Sequence, residues 1–229
     1  MDLDDIKTKF VSKLIPMEGS SLPIGLACLG FAWFFAPSIW WVLPFAFFVV
    51  SLASLQNTFA GLNGWTAGAG FIASAATAIA LKNTVLFAPA LVLSAAILGF
   101  LLWNKYPSRV LEGDSGTLLI GAGIAGLIVL SGSKTLVLFG LLLYLPNIVD
   151  FFFLKLITNR KDMSQSKARP YLLLEDGRLD VPDGGKAKLD FAKLVLKVFG
   201  PLREWQIVLV IWIVCGLNAL LWLKAFGFL

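Results

Sequence analysis

A chain of 229 residues that is 58% hydrophobic and 13% aromatic, with mean hydropathy +0.84 and formal charge +5, is too apolar for a water-soluble domain of that size. It contains no histidine, which excludes triads built on imidazole and removes the commonest zinc ligand. Its basic residues are spread over several gaps rather than gathered on one aromatic-bearing surface, so the charge reads as topology and headgroup attraction, not nucleic-acid binding.

In chain order, the start Met1-Asp2-Leu3-Asp4-Asp5 is acidic where a cleavable signal needs a basic leader, so insertion is expected to rely on the spans themselves. Apolar runs follow at residues 20–36, 39–57, 64–82, 84–103, 116–132, 134–157 and 205–226. A run such as Thr84 to Trp103 can cross a hydrocarbon core of about 30 Å at about 1.5 Å per residue, and only helix satisfies a spanning backbone there. The predicted fold is an all-α polytopic membrane protein with about seven transmembrane helices, forming one integral membrane domain over residues 1–229. The first run, between Pro23 and Pro37, barely reaches across; a re-entrant hairpin over 20–57 would still return Asn57 to the same face. Cys28 and Cys215 lie within apolar runs and read as ordinary buried thiols.

Chain parity places gaps 1–19, 58–63, 104–115 and 158–204 on one face. Every one of the 14 acidic residues except Asp150 falls in these gaps, and of the 19 lysines and arginines only Lys82, Lys134 and Lys224 lie toward the other face. The positive-inside bias makes the charge-rich face cytoplasmic. The long gap 158–204 predicts two small elements. Tyr171 to Val181 alternates around Asp176-Gly177 as a β-hairpin. Phe191, Leu194, Val195 and Val198 then line one face of a helix stopped by Gly200-Pro201, which reads as an interfacial helix on anionic headgroups.

Two motifs fail on chemistry or context. Gly113-Asp114-Ser115-Gly116 resembles the surroundings of a serine nucleophile, but no histidine exists to take the proton. The Gly121 to Gly126 run matches a dinucleotide fingerprint inside an apolar span with no βαβ unit, so its small residues are expected to let membrane helices approach.

The polar candidates on the charge-rich face are Asp4, Asp5 and Lys13; Asn57 and Asn63; Asp114; and Lys167 and Arg169. Singly they read as a frayed terminus, a turn at Asn63-Gly64, a helix cap at Asp114 and topology determinants. Jointly they bring acids, carboxamides and cations from separate helix ends to one membrane surface. Mg²⁺ takes oxygen ligands and keeps waters and substrate phosphates in its remaining positions; Asn57 and Asp114 offer two such oxygens, and lysine or arginine nearby would clamp phosphate.

The stretches Asn57-Thr58-Phe59-Ala60-Gly61-Leu62-Asn63-Gly64-Trp65-Thr66-Ala67-Gly68 and Tyr106-Pro107-Ser108-Arg109-Val110-Leu111-Glu112-Gly113-Asp114-Ser115, with Leu3-Asp4-Asp5 and Leu196 to Leu202, resemble the signature loops of the polyprenyl-phosphate N-acetylhexosamine-1-phosphate transferases. Within that family the likeness is greatest to the eukaryotic and archaeal dolichyl-phosphate GlcNAc-1-phosphotransferase. The resemblance implies Mg²⁺, with Mn²⁺ as the alternative ion, held by Asn57 and Asp114. It also implies Asp4 and Asp5 on the lipid phosphate, Lys13 as the family lysine after a one-residue deletion, Asn63 with Gly64 on the uracil, and Arg169 with Lys167 on diphosphate and sugar.

The implied partners are a UDP-sugar donor, a polyprenyl or dolichyl phosphate and the bilayer, with a homodimer left open. The site would be cytoplasmic, in the plasma membrane of an archaeon or the endoplasmic reticulum of a eukaryote. Four departures stand out. The missing histidines argue against a muramoyl-pentapeptide substrate. Ser54 replaces a frequent asparagine, and Leu111 an aromatic expected to stack on uracil. The family normally has about three further spans ahead of the paired aspartates, so the chain is expected to be a truncated or mis-started form that binds donor weakly or not at all unless those spans are supplied. The rival readings are a transporter, for which only Asp150 would serve as an intramembrane charge, and an inactive remnant.

Overall fold

The apolar run at residues 39–57 forms α1 (Ile39–Thr58), in a computed structural model that describes residues 39–157, 171–182 and 189–229. The chain divides into two compact units, Met1–Ser51 and Leu52–Leu229. The described part of the first is the start of α1, where the rings of Trp41 and Phe45 meet at 5.7 Å.

The second unit begins with the rest of α1 and continues through α2 (Trp65–Ala80), α3 (Phe87–Asn104), α4 (Gly113–Leu130), α5 (Lys134–Leu143) and α6 (Leu145–Ile148). A π-helical stretch, Val149–Ile157, extends α6. After it come β1 (Leu172–Leu173), β2 (Leu179–Asp180), α7 (Phe191–Phe199) and α8 (Glu204–Ala225). The protein is an all-α polytopic membrane protein, with one small two-stranded sheet among the described residues. Trp40–Thr58, Phe87–Asn104, Gly113–Leu130 and Glu204–Ala225 are each long and apolar enough to cross a membrane. The expected span 20–36 lies outside the described residues.

Two expected spans differ from simple crossings. The 64–82 run yields a helix of only 16 residues, α2. It is built largely of alanine and glycine and is buried along most of its length, so neighbouring helices rather than lipid surround it. The 134–157 run is bent by 55° between α5 and α6. Pro146 has no N–H to give the preceding turn and its ring displaces the carbonyl four residues back, which breaks the helix. The loosened carbonyls of Leu142 and Leu143 instead accept from the Asn218 carboxamide on α8, at 3.2 and 3.0 Å, as an apolar medium requires.

Small residues set the helix spacing. A Cβ on Gly68 would stand 2.1 Å from the indole of Trp212 in α8, and one on Gly121 would stand 2.6 Å from the Leu52 carbonyl oxygen. The expectation for Gly121 therefore holds: α4 lies directly on the backbone of α1 there.

The hairpin forms with Leu172 opposite Asp180 and Leu173 opposite Leu179, and Gly177 supplies the left-handed turn residue at φ 79°. Its second strand bridges Leu179 to Leu202, joining the loop to the start of α8. The face expected of α7 is spent differently. Phe191, Ala192, Val195 and Leu196 pack into a protein core with Phe59, Trp65, Ile207 and Ile211, leaving Val198 and Phe199 exposed at the helix end. Burial against α8 and the Phe59 loop removes that surface from water without recourse to headgroups.

Candidate functional site

The loop between α1 and α2 carries a dense set of side-chain to backbone bonds, because breaking a helix frees polar groups that a membrane protein must satisfy internally. The Thr66 hydroxyl donates to the Phe59 carbonyl at 3.0 Å, and the buried Gln56 carboxamide donates to the Thr66 carbonyl at 2.9 Å. The Lys155 ammonium donates to the Thr58 carbonyl. Asn63 N–H donates to a Glu204 carboxylate oxygen at 2.8 Å, and Gly64 N–H to the Asn104 side-chain oxygen at 3.1 Å. Gly64 itself sits at φ 80°, and its carbonyl accepts from the Trp212 indole at 3.1 Å. Elements far apart in sequence thus hold this loop in one conformation.

Into the same region comes the first turn of α4. The Thr117 hydroxyl lies 2.5 Å from the Asn57 side-chain oxygen and 2.9 Å from the Asp114 carbonyl. Asn57 and the Asp114 turn, 57 residues apart in sequence, are thereby joined through one hydroxyl. The Asp114 side chain is exposed and forms no hydrogen bond or ion pair with the described residues. Two residues earlier, Glu112 is half-buried with one carboxylate oxygen lacking any hydrogen-bond partner among the described residues. Burial pushes this carboxyl up to about 7, and the neighbouring Thr66 hydroxyl offsets part of that rise.

Of the candidates named from sequence, Asn57, Asn63, Gly64 and Asp114 are described and converge on one end of the bundle. Asp4, Asp5, Lys13, Lys167 and Arg169 lie outside the described residues. No group of three or more His, Cys, Asp or Glu side chains forms a metal cage among the described residues. Two neutral or anionic oxygens at a polar rim nevertheless suit a hard cation that keeps waters and substrate phosphates as its other ligands.

Asp150, the intramembrane charge on which a transporter reading would depend, has two partners. Its Oδ1 accepts from Phe191 N–H at 2.7 Å and its Oδ2 pairs with Lys155 Nζ at 2.6 Å. The π-helical stretch makes this pair, because i→i+5 bonding brings residues five apart onto one face, where a regular α-helix would turn them away. With Asp190 accepting from Lys193 N–H at 2.8 Å, two carboxylates cap the start of α7. The loop is latched at the site's edge, and Asp150 has a structural explanation in place of a transport role.

Sequence reading missed Thr117, Glu112, Asn104, Glu204, Trp212 and Lys155. Thr117 was within reach, since it follows Asp114 by one helical turn. The others act on main-chain groups across long sequence separations, for which no local pattern exists.

Residues 4–132 match the family described as glycosyl transferase family 4. The chain belongs to that family. It is 38% identical over 176 residues to a Methanocaldococcus jannaschii protein with a provisional glycosyltransferase name, covering 76% of this chain and 56% of the relative. It is 35% identical over 176 residues to a Saccharolobus solfataricus protein provisionally named UDP-N-acetylglucosamine–dolichyl-phosphate N-acetylglucosaminephosphotransferase, covering 75% and 50% respectively. A phospho-N-acetylmuramoyl-pentapeptide-transferase of Carboxydothermus hydrogenoformans is 35% identical over 119 residues, or 51% of this chain and 34% of that protein. The chain spans about half the length of the curated relatives it matches. The family 4 match contains both loops that meet at Thr117.

Proposed function

We propose that this chain contributes the active site of a phosphoglycosyl transferase that moves GlcNAc-1-phosphate from UDP-GlcNAc to a polyprenyl phosphate such as dolichyl phosphate. UMP is released, and the reaction initiates a lipid-linked oligosaccharide. The observation that carries the reading is the meeting of Asn57 with the Asp114 turn, together with the similarity to proteins named for this chemistry. The absence of histidine keeps the muramoyl-pentapeptide substrate in second place.

Asn57 Oδ1 and the Asp114 carboxylate would hold Mg²⁺. Bound there with the donor diphosphate, the ion supplies neutralisation of the charge that builds on the phosphoryl oxygens. The lipid phosphate oxygen attacks the β-phosphorus of the donor in line, and the phosphoanhydride bond to the UMP oxygen breaks as the new phosphoanhydride bond to the lipid phosphate forms. The protein's part is alignment. Asn63 and Gly64, fixed by Glu204, Asn104 and Trp212, face the nucleotide; Asp4 and Asp5 orient the lipid phosphate, and Lys13, Lys167 and Arg169 offset its charge and the donor's. Asp114 lies on the face that the positive-inside bias makes cytoplasmic, where nucleotide sugars reside.

The test is UMP release from UDP-GlcNAc and a polyprenyl phosphate. It is measured for the chain alone and for the chain co-expressed with the portion of a longer relative that it does not cover. Release that requires Mg²⁺ and falls at least about a hundredfold in Asp114→Asn supports the assignment. Equal release by the variant, or solute flux without UMP in either preparation, would refute it.

A further inference from the structure

Beside the candidate site, the connection from α3 to α4 forms a cleft of about 320 Å³ lined by Leu102, Trp103, Lys105, Tyr106, Pro107 and Arg109. Two of its six lining side chains are cations and none is an acid. Neither Lys105 nor Arg109 forms an ion pair with the described residues. The cleft is held in shape. Arg109 N–H donates to the Trp103 carbonyl at 2.9 Å, and its guanidinium lies 5.6 Å over the Trp103 ring. The Val110 carbonyl accepts from Ser108 at 2.8 Å and from Asn104 at 2.9 Å. Little ordering is therefore left for a ligand to impose.

The position is that of a membrane interface. Trp103 and Tyr106 are about half exposed, at the end of a helix long enough to span, and such aromatics sit at headgroup level. Along α3 below them, Leu91, Leu98 and Leu102 face outward, and a Cβ on Gly99 would meet nothing within 4 Å. An open apolar track thus leads from the two cations along the helix.

We propose that this cleft binds one anionic phospholipid, its phosphate between Lys105 and Arg109 and an acyl chain along Leu102, Gly99 and Leu98. Arginine meets phosphate with a planar fork and lysine adds a point charge. A zwitterionic lipid brings an ammonium toward two cations with no acidic side chain among the described lining residues to receive it, so charge selects against it. A soluble phosphate uses the cations and leaves the aromatic wall and apolar track unfilled.

Native mass spectrometry of the whole chain in nonionic detergent, titrated with dioleoylphosphatidylglycerol or dioleoylphosphatidylcholine, tests this. The first phosphatidylglycerol is expected to bind at least about tenfold more tightly than phosphatidylcholine. The double variant Lys105→Gln/Arg109→Gln should lose about thirtyfold of that affinity. Lys224→Gln, a cation at the other end of the bundle, should lose none. The charge-keeping pair Lys105→Arg/Arg109→Lys should retain most of the binding. The proposal fails if the Gln pair binds phosphatidylglycerol as wild type does, if phosphatidylcholine binds equally well, or if the charge-keeping pair loses as much as the Gln pair. Displacement of the lipid by equimolar polyprenyl phosphate or by millimolar inorganic phosphate would also overturn it.

Discussion

Replacing Glu112 by glutamine probes the loop that delivers Asp114. The Glu112 carboxyl is half-buried, one of its oxygens has no hydrogen-bond partner among the described residues, and burial raises it from 4.5 to about 7. Below pH 4.5 the folded and unfolded chains both carry the proton, and the group costs nothing. As pH rises through this window the unfolded chain ionises first, and above about 7 the folded chain must hold a poorly hydrated charge. Moving a carboxyl from 4.5 to about 7 corresponds to about 3 kcal/mol at about 1.36 kcal/mol per pH unit. Because the group is partly open to water, screening reduces this to about 1–2 kcal/mol. Glu112→Gln should therefore be more stable than wild type by about 1–2 kcal/mol at pH 8, or roughly 2–8 °C in Tm, and equal to it at pH 4.5. Thermal unfolding of both proteins in detergent, followed by tryptophan fluorescence without divalent cations, measures the difference. A gain of the same size at both pH values, or a loss at pH 8, refutes the reasoning.

Two further outcomes follow from the packing around the site. Gly68→Ala places a methyl 2.1 Å from the Trp212 indole, so the ring must move and release the Gly64 carbonyl. A loss of about 1–3 kcal/mol is expected, and pairing it with Trp212→Leu should recover part of that loss in an unfolding titration; strictly additive losses would show that the ring is not the obstacle. Asp150→Ala strands Phe191 N–H and leaves Lys155 without its carboxylate, for a loss of about 3 kcal/mol. The double variant Asp150→Ala/Lys155→Met should recover part of it in the same measurement, and a double variant no more stable than the single one would count against the latch.

Much of the bundle was legible because hydrocarbon imposes a one-dimensional rule: a span must be long, apolar and helical, and charges must collect where water is. That rule located α1, α3, α4 and α8 to within a few residues and collected Asn57, Asn63 and Asp114 at one rim. Turn chemistry likewise marked the hairpin, since Asp176-Gly177 favours the positive φ that such a turn needs. The short α2 and the bend at Pro146 were less legible, because an apolar run has the same appearance whether it faces lipid or neighbouring helices.

What the chain's order of residues determined by itself is therefore the kind of molecule and the inventory of its polar rim. What only the tertiary structure decided is which of those groups meet: Thr117 between Asn57 and the Asp114 turn, Glu204 and Asn104 on the Asn63–Gly64 backbone, and Asp150 with Lys155 through a π-helical stretch. The reason is physical. Span length and charge placement follow from transfer of single segments between water and hydrocarbon, whereas these pairings satisfy main-chain groups set free by helix breaks, and their partners are chosen by how the helices pack.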